Sequence, residues 1–298
     1  MKILLVGSSG QLGKSIFQKS PNNIDLLMPN KMEFNLINGI KCYEYIIRNK
    51  PDWVINAAAY TAVDKAESER DLAYKINALA PKYFAEIATE LGIKLIQIST
   101  DFVFDGKQNY PYKPEQERHP LSVYGYTKAC GEEFVEKIMG NSKDGTIIRT
   151  SWVMGPVGKN FARTILKLLS DRDQIKVVAD QIGGPTTTYS LAEYCWQIIS
   201  FLKEDFHVPN ILHYTNSGIA SWYDVAVAIQ EIGLDFKLLK SNCEIVPIKS
   251  IDYPTAAIRP SYSVLDCTSS IDFPNISSSN HWRNALKNIL LSPSLVHK

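Results

Sequence analysis

The sequence predicts an α/β protein with a doubly wound parallel sheet and a smaller second α/β domain. Short apolar segments without polar alternation recur along the first 150 residues, as in strands that are covered on both faces. Helix-compatible segments separate them, which favours parallel strands joined by helical crossovers. With 298 residues, 45% of them apolar, the chain can bury a large core without disulfides or a metal ion.

The elements of the first half are predicted in strict alternation. Each strand is a short apolar segment, and the five strands are predicted over residues 2–6, 24–28, 53–55, 94–98 and 146–149. The helices are predicted over residues 11–19, 38–49, 72–91 and 121–140. After Ser151 the elements become shorter, and glycine and proline become frequent. This change predicts a second domain with a different role.

Composition excludes several classes of function. The formal net charge of +1 argues against a nucleic-acid-binding protein, which needs a surplus of Lys and Arg. Apolar runs stay below the roughly 18 residues of a membrane helix, so no membrane association is expected. The five cysteines have no C-x-x-C pair and favour reduced thiols in a cytoplasmic protein. Neither cysteines nor histidines have metal-ligand spacing, so no metal site is predicted.

A glycine-rich turn follows the first predicted strand directly. Gly7, Gly10 and Gly13 have G-x-x-G-x-x-G spacing. The first glycine permits a tight turn, the second lets backbone approach a pyrophosphate at the helix N-terminus, and the third lets the helix pack on the strand. At the start of a βαβ pattern, this spacing predicts a dinucleotide-binding turn of the Rossmann type.

Tyr124 and Lys128 are four residues apart in a predicted helix, so they share a helix face. An ammonium beside a phenol stabilises the phenolate and lowers the pKa of the phenol. The pair can therefore exchange a proton with a substrate, as an acid–base catalyst does. The spacing alone is common on exposed helix faces, and the glycine-rich turn upstream gives it weight.

A polar triplet, Ser99, Thr100 and Asp101, follows the fourth predicted strand. Ligands of doubly wound sheets bind at the carboxyl ends of the strands. The Thr100 hydroxyl can hydrogen-bond a substrate oxygen there, and the Asp101 carboxylate can orient a sugar hydroxyl. A helix cap or a turn is the alternative for this triplet.

Together these features divide the chain into two predicted domains. Residues 1–151 form the dinucleotide-binding domain, to which the chain returns near residues 186–215. Residues 152–185 and 216–298 form the substrate-binding domain.

The glycine-rich turn, the threonine after the fourth strand and the Tyr/Lys pair together resemble the extended short-chain dehydrogenase/reductase family. Within it, the chain is similar to the dTDP-4-dehydrorhamnose reductases. The matching stretches follow in order over most of the chain, at residues 56–67, 99–106, 149–153, 180–186, 221–224 and 259–260. Such long ordered matches are more specific than a three-residue motif.

The resemblance implies that the C4 ketone of dTDP-4-dehydro-β-L-rhamnose is reduced to dTDP-L-rhamnose with NADPH or NADH. Tyr124 would protonate the developing C4 alkoxide, and Thr100 would hydrogen-bond the reacting oxygen. Lys128 would hold the nicotinamide ribose and lower the pKa of Tyr124. Asp101 would position the sugar, and Trp152 would line its pocket.

The resemblance also implies contacts along both ligands. Asn160 and Arg259 would lie near the nucleotide diphosphate, where a guanidinium suits a pyrophosphate. The alternatives are a structural ion pair for Arg259 and a buried core position for Trp152. The implied cofactor contacts are Gly7, Gly10, Gln11, Leu12, Gly13, Asn35, Leu36, Ala57, Ala58 and Tyr60, together with Tyr124 and Lys128.

Three positions depart from the family pattern. Asn35 stands where the family usually has Asp, and Met154 where Tyr is common. Tyr262 replaces the Asn of an R-P-x-N-S segment, which bears on recognition of the base. The proposed catalytic positions match the pattern.

The residues after the second strand predict the choice of cofactor. An acid at this place accepts hydrogen bonds from the ribose hydroxyls and selects NAD, whereas a basic residue accommodates the 2′-phosphate of NADP. Here Asn30 and Lys31 come first, and no carboxylate appears before Glu33. We therefore expect NADPH to be used at least as well as NADH. The alternative is that Lys31 points into solvent.

Other functions remain open on the sequence alone. A 4-epimerase of the same fold and a non-catalytic, reductase-like regulatory subunit are the alternatives. A 4,6-dehydratase is disfavoured because Phe102 stands where those enzymes carry a Glu, and Phe cannot transfer protons. The expected partner is a small dTDP-sugar, and a homodimer is left open.

Overall fold

Short strands alternate with helices along the chain. A computed structural model describes residues 1–140, 142–204, 208–271 and 280–293. Its strands are β1 (Lys2–Val6), β2 (Asp25–Leu27), β3 (Trp53–Asn56), β4 (Lys94–Thr100), β5 (Gly145–Thr150), β6 (Val153–Met154), β7 (Gln174–Val178), β8 (Ile182–Gly183), β9 (Thr186–Thr187), β10 (Ile211–His213), β11 (Ala220–Ser221) and β12 (Glu244–Ile248). Its α-helices are α1 (Gln11–Gln18), α2 (Gly39–Asn49), α3 (Val63–Ala66), α4 (Arg70–Tyr74), α5 (Ala80–Leu91), α6 (Val123–Met139), α7 (Phe161–Asp171), α8 (Thr188–Lys203), α9 (Trp222–Asp235), α10 (Thr268–Ile271) and α11 (Trp282–Leu290). Among the helices of this described part, none is long and apolar enough to cross a bilayer.

Six strands form one sheet in the order β10-β5-β4-β3-β1-β2. Every pair of neighbours in this sheet is parallel. The strand order reverses between β1 and β3, which puts the ligand crevice of such a sheet above the carboxyl ends of these strands. The predicted doubly wound, Rossmann-type α/β fold is confirmed.

Both faces of the large sheet are covered by helices. Alternate residues of β1 point to opposite sides. Ile3 and Leu5 pack in one buried cluster with α1 and α8, whereas Leu4 and Val6 pack in another with α2, α5 and α6. Each such side chain stabilises the fold by about 1.5–3 kcal/mol relative to exposure. A strand buried on both faces has no place for polar alternation, which explains the apolar sequence of β1.

The helix predicted over residues 72–91 is interrupted by a π-helical segment. This segment, Lys75–Leu79, lies between α4 and α5. At its centre the buried Asn77 side chain accepts a hydrogen bond from the Tyr60 backbone N–H at 2.8 Å and donates to the Tyr60 carbonyl at 3.1 Å. Asn77 Nδ2 also donates to Thr127 Oγ1 at 3.1 Å. Single π-turns inside helices are frequent at functional sites, and this one anchors the loop after β3.

A separate apolar core lies outside the large sheet. It joins α7, α9 and α11 with β7, and β7 pairs with β12 in a separate two-stranded parallel sheet. Strand β10 lies in the segment 186–215 that is predicted to return to the dinucleotide-binding domain, and it pairs with β5 in the large sheet. These two cores support the predicted division into two domains, which stays a prediction. Residues 272–279 and 294–298 of the predicted substrate-binding domain lie outside the described residues.

Candidate active site

The glycine-rich turn brings β1, α1 and the loop after β3 into close contact. Gly7 has a φ of +82°, and a Cβ there would lie 2.7 Å from the backbone N of Ala58. A Cβ on Gly13 would lie 2.2 Å from the carbonyl oxygen of Gly7. Gly10 is less confined, with the same oxygen 3.2 Å from a Cβ. Gly7 and Gly13 are therefore required by packing of the backbone itself.

The N-terminus of α1 is suited to bind an anion. Gly10 is its N-cap, and no side chain of the described residues caps the helix. The first N–H groups of a helix have no partner within the helix and favour negative charge. Backbone N–H groups at Gln11 and Leu12, next to three glycines, fit the pyrophosphate of a dinucleotide.

The residues expected beside the adenosine lie in exposed turns after β2. The Asn30 side chain accepts hydrogen bonds from the N–H groups of Met32 and Glu33. The Glu33 carboxylate accepts a hydrogen bond from the backbone N–H of Asn30 at 2.9 Å. Lys31 is exposed in the same turn. The Glu33 carboxylate is thus held in the same turn as Lys31.

Other expected cofactor contacts are distributed around the turn. Asn35 Oδ1 accepts a hydrogen bond from the Ile37 N–H at 3.2 Å, and Leu36 packs against the core beneath α2. Ala57 and Ala58 follow β3 and border Gly7. The backbone of Tyr60 is held by Asn77, as described above.

Thr100 ends β4 and caps the 3-10 turn Asp101–Val103. Its Oγ1 accepts a hydrogen bond from the Phe102 N–H at 3.2 Å and donates to Asp101 Oδ1 at 3.0 Å. Asp101 is buried, and burial raises its pKa to about 6 against the opposing effect of the hydroxyls of Ser263 and Thr100. Among the described residues, Asp101 Oδ2 is buried without a hydrogen-bond partner of standard geometry. The cap predicted as an alternative is therefore present.

Tyr124 lies in the first turn of α6, beside Thr100. Ser122 caps the helix by accepting the Gly125 N–H at 3.2 Å. A Cβ on Gly125 would lie 2.2 Å from the Phe102 carbonyl oxygen, so this glycine lets α6 touch the segment after β4. Burial raises the pKa of Tyr124 to about 12, while the Thr100 hydroxyl lowers it and the Asp101 charge raises it. At neutral pH the phenol is therefore protonated, which is the form that donates a proton.

Lys128 lies one turn further along α6 and is 4% exposed. Its Nζ donates to the Ile98 carbonyl oxygen of β4 at 2.6 Å. Burial lowers the pKa of Lys128 to about 8, against an opposing effect of Glu132. The sequence suggested that Lys128 would lower the pKa of Tyr124. In this structure burial raises the pKa of Tyr124, and the lowering of that pKa by Lys128 stays a prediction.

Trp152 follows β5 at the entry to the second core. Its φ of 49° lies in the left-handed region, which is strained for a bulky residue. One face of its indole stacks on Trp222, with ring centroids 3.6 Å apart, and its edge lies where a Cβ on Gly183 would clash. The ring is half-buried. Trp152 is thus packed like a core residue, but on a strained backbone of the kind that often marks a functional position.

Asn160 and Arg259 have protein partners in this structure. Asn160 caps α7 by accepting the Arg163 N–H, and its Nδ2 donates to Gln11 Oε1 at 2.7 Å. It therefore lies against the glycine-rich turn. Arg259 forms a bidentate ion pair with Asp64, with distances of 2.8 and 3.1 Å. The ion-pair alternative for Arg259 is thus present.

Sequence reasoning missed three buried polar residues around the Tyr/Lys pair. Asn77 holds the loop at Tyr60 and contacts α6. Glu132 and Arg149 form an ion pair, and their side chains are 1% and 0% exposed. Glu132 lies one turn after Lys128 on α6, and Arg149 precedes Thr150 on β5. The available signal was the four-residue spacing from Tyr124 to Lys128 to Glu132, which places all three on one helix face.

Comparisons with known proteins agree with this arrangement. A family model described as the RmlD substrate binding domain matches residues 1–293. The spore coat polysaccharide biosynthesis protein SpsK of Bacillus subtilis is 38% identical over 97% of this chain and 96% of its own length. A dTDP-4-dehydrorhamnose reductase of Aggregatibacter actinomycetemcomitans is 39% identical over 97% of this chain and 98% of its own.

A solved structure of a relative has the same fold and contains a bound ligand. The dTDP-4-dehydrorhamnose reductase of Bacillus anthracis, in complex with NADP, superimposes with a TM-score of 0.87 at 31% identity, covering 97% of this chain and 98% of that one. These matches extend along nearly the whole chain, as the ordered motifs predicted. The chain therefore belongs to the family of the RmlD substrate binding domain, whose members include the dTDP-4-dehydrorhamnose reductases.

Proposed function

We propose that this chain is an NADPH-dependent oxidoreductase that reduces the C4 ketone of dTDP-4-dehydro-β-L-rhamnose to dTDP-L-rhamnose, the last step of dTDP-rhamnose synthesis. The observation that carries the proposal is the meeting of Thr100, Tyr124 and Lys128 at the carboxyl end of β4, on the same sheet edge as an uncapped, glycine-rich helix N-terminus. The names of the relatives support the substrate, and the bound NADP of the Bacillus anthracis enzyme supports the cofactor.

The chemistry that NADPH supplies when bound is hydride transfer to C4. As the C4 oxygen gains charge, the Tyr124 O–H bond breaks and its proton moves to that oxygen, which leaves a phenolate. The Thr100 hydroxyl lies beside Tyr124. Its single hydrogen, which points to Asp101 Oδ1 in this structure, would turn to donate to the same oxygen. The phenolate regains its proton from solvent after product release.

The neighbouring residues bind and orient the ligands. Lys128 has three donors, of which Ile98 takes one, and the others reach the nicotinamide ribose. The Asp101 carboxylate would orient a sugar hydroxyl, and Trp152 would line the sugar pocket. Asn160 is hydrogen-bonded to Gln11 of the glycine-rich turn, where it would lie close to the pyrophosphate groups.

One mixing experiment tests the proposal against its alternatives. The full-length protein is mixed with NADPH and dTDP-4-dehydro-β-L-rhamnose, and absorbance and product are followed together. A reductase oxidises one NADPH for each dTDP-L-rhamnose formed. An epimerase or a regulatory subunit consumes no cofactor stoichiometrically, so product without NADPH oxidation, or neither, contradicts the proposal.

We expect Trp152→Ala to raise KM for the keto sugar by about tenfold while the Kd for NADPH is unchanged, because an indole that packs on a sugar buries a large area. The measurement is steady-state kinetics together with NADPH titration by fluorescence. Trp222→Leu is the comparison, since it removes the stacking partner of Trp152 and a ring contact to Phe161 but leaves the Trp152 indole in place. If KM for the keto sugar and Kd for NADPH rise equally and Tm falls, Trp152 has only a core role.

We expect Lys31→Ala to lower the kcat/KM ratio of NADPH over NADH by about 2- to 5-fold, as for one exposed charge contact. Glu33→Gln is the matched variant in the same turn. It should change the ratio in the opposite direction, because it removes the carboxylate held at Asn30. Kd values for both cofactors give the same comparison without turnover. A ratio that is the same in all three proteins would remove this turn from cofactor selection.

We also propose a cytoplasmic location and a two-domain organisation. All five cysteines are free thiols, as is usual in a reducing compartment. The apolar clusters on the large sheet and around α7, α9 and α11 support separate dinucleotide-binding and substrate-binding domains. A homodimer stays a prediction that sedimentation velocity tests.

A further inference from the structure

The loop after β3 reaches the N-terminal turn of α6 through one carboxylate. Glu67 directly follows α3, and its Oε1 accepts a hydrogen bond from the backbone N–H of Val123 at 2.8 Å. Val123 is the first residue of α6 and lies 56 positions away in sequence. Arg70 Nη2 lies 3.8 Å from the other carboxylate oxygen, Oε2. The Glu67 side chain is 24% exposed, so most of it is sheltered from solvent.

A carboxylate is well suited to this place on the helix. The N–H of the first helical residue has no partner within the helix, and the N-terminus favours negative charge. Ser122, the N-cap, accepts the N–H of Gly125 and not that of Val123. Glu67 therefore adds a second cap to α6, from outside the helix.

Two loops hold this turn, one on each side of Tyr124 in the sequence. The loop after β4 holds Gly125, where a Cβ would lie 2.2 Å from the Phe102 carbonyl oxygen. The loop after β3 holds Val123 through Glu67. Contact with one loop alone would leave the turn free to pivot about that contact. The place of the Tyr124 side chain therefore depends on both loops.

The loop after β3 also connects the turn to the expected cofactor contacts. Ala58 of this loop borders Gly7 of the glycine-rich turn. Tyr60 is fixed by two backbone hydrogen bonds to Asn77. A cap that only stabilised α6 could come from a residue next to the helix, as Ser122 does. Glu67 instead fixes α6 relative to the loop expected to contact the cofactor.

We propose that Glu67 is a positioning residue, which holds the Val123 N–H and thereby places the Tyr124 hydroxyl at the C4 oxygen of the substrate. The inference rests on the proposed function, which makes Tyr124 the acid. Glu67 touches neither ligand in this role. It acts through the backbone of α6 alone.

The test removes the hydrogen bond from each end in turn, in the full-length protein. Glu67→Ala removes the acceptor, whereas Glu67→Gln keeps an amide oxygen there. Val123→Pro removes the donor, and proline is favoured at the first position of a helix. Ser122 has a φ of −128° and a ψ of 160°, the extended conformation that suits a residue before proline. Val123→Ala is the matched control, because it shortens the side chain and keeps the N–H.

We expect Glu67→Ala and Val123→Pro each to lower the rate of hydride transfer by about 10- to 100-fold, as for a reacting group displaced by about 1 Å. The measurement is single-turnover oxidation of NADPH with both ligands saturating. The double variant should lose no more than either single variant, because both remove one contact. Glu67→Gln and Val123→Ala should stay within about threefold of the parent, since the hydrogen bond remains. The Kd for NADPH should be unchanged throughout.

A second readout follows Tyr124 without turnover. The protein is prepared with carbon-13 at Cζ of tyrosine, and the Tyr124 signal is assigned by its loss in Tyr124→Phe. Glu67→Ala and Val123→Pro should move this signal, whereas Val123→Ala should not. If Glu67→Ala does not fold, Val123→Pro and Val123→Ala provide the same comparison.

A parent-like rate and an unmoved Tyr124 signal in folded Glu67→Ala or Val123→Pro overturn the inference. So does a lower Tm with a parent-like rate, which assigns Glu67 to helix stability alone. A further loss in the double variant also contradicts it. Failure of the proposed function is distinguishable, because the parent would then oxidise no NADPH with the keto sugar while the Tyr124 signal still responded to Glu67→Ala.

Discussion

Tyr124→Phe is expected to lower kcat by about 10²- to 10⁴-fold, the usual contribution of a general acid. The substitution removes only the hydroxyl. The ring remains, and with it the edge-on contact to Phe102 at 5.5 Å between centroids, so the fold and the N-terminus of α6 should be retained. The measurement is single-turnover oxidation of NADPH with the keto sugar, alongside a fluorescence titration of NADPH.

Lys128→Met provides the comparison for this prediction. It should weaken NADPH binding as well as turnover, because Lys128 is proposed to hold the ribose, whereas Tyr124→Phe should leave NADPH binding unchanged. If Tyr124→Phe retains turnover within a small factor of the parent, Tyr124 is not the acid. If Lys128→Met binds NADPH normally, the ribose contact is wrong.

Most of the fold was predictable because strands covered on both faces leave a simple pattern. Ile3, Leu4, Leu5 and Val6 are apolar in sequence since both sides of β1 are buried, and the first five strands were predicted near their observed positions. The π segment at Asn77 was not predictable. It depends on hydrogen bonds to Tyr60 and Thr127, which are 17 and 50 residues away in sequence.

The candidate site also has features that local sequence predicts and features that it does not. Local spacing predicted the glycine-rich turn and the Tyr124/Lys128 face, because a turn and a helix bring together residues close in sequence. Electrostatic effects depend on burial, which spacing does not report. The burial that raises the pKa of Tyr124 could therefore not be predicted from the spacing of Tyr124 and Lys128. Likewise, the ion pair between Arg259 and Asp64 joins residues 195 positions apart.

Gly13→Ala is expected to lower stability and cofactor binding together. Its Cβ would lie 2.2 Å from the Gly7 carbonyl oxygen, which belongs to backbone and cannot rotate away. Helix α1 must then move off the turn, at a cost of about 1–3 kcal/mol, as for other overpacked positions. The measurements are the free energy of unfolding in urea and the Kd for NADPH, which should weaken because the N–H groups of Gln11 and Leu12 move with α1.

Gly10→Ala is the matched variant, since it separates crowding within the protein from crowding of the cofactor. Its Cβ has 3.2 Å to the same oxygen, and its φ of −74° suits alanine. The free energy of unfolding should therefore fall much less than in Gly13→Ala, while NADPH binding weakens if the pyrophosphate approaches this backbone. Unchanged NADPH binding in Gly10→Ala would place the pyrophosphate elsewhere. A parent-like free energy of unfolding in Gly13→Ala would contradict the close packing of α1 on β1.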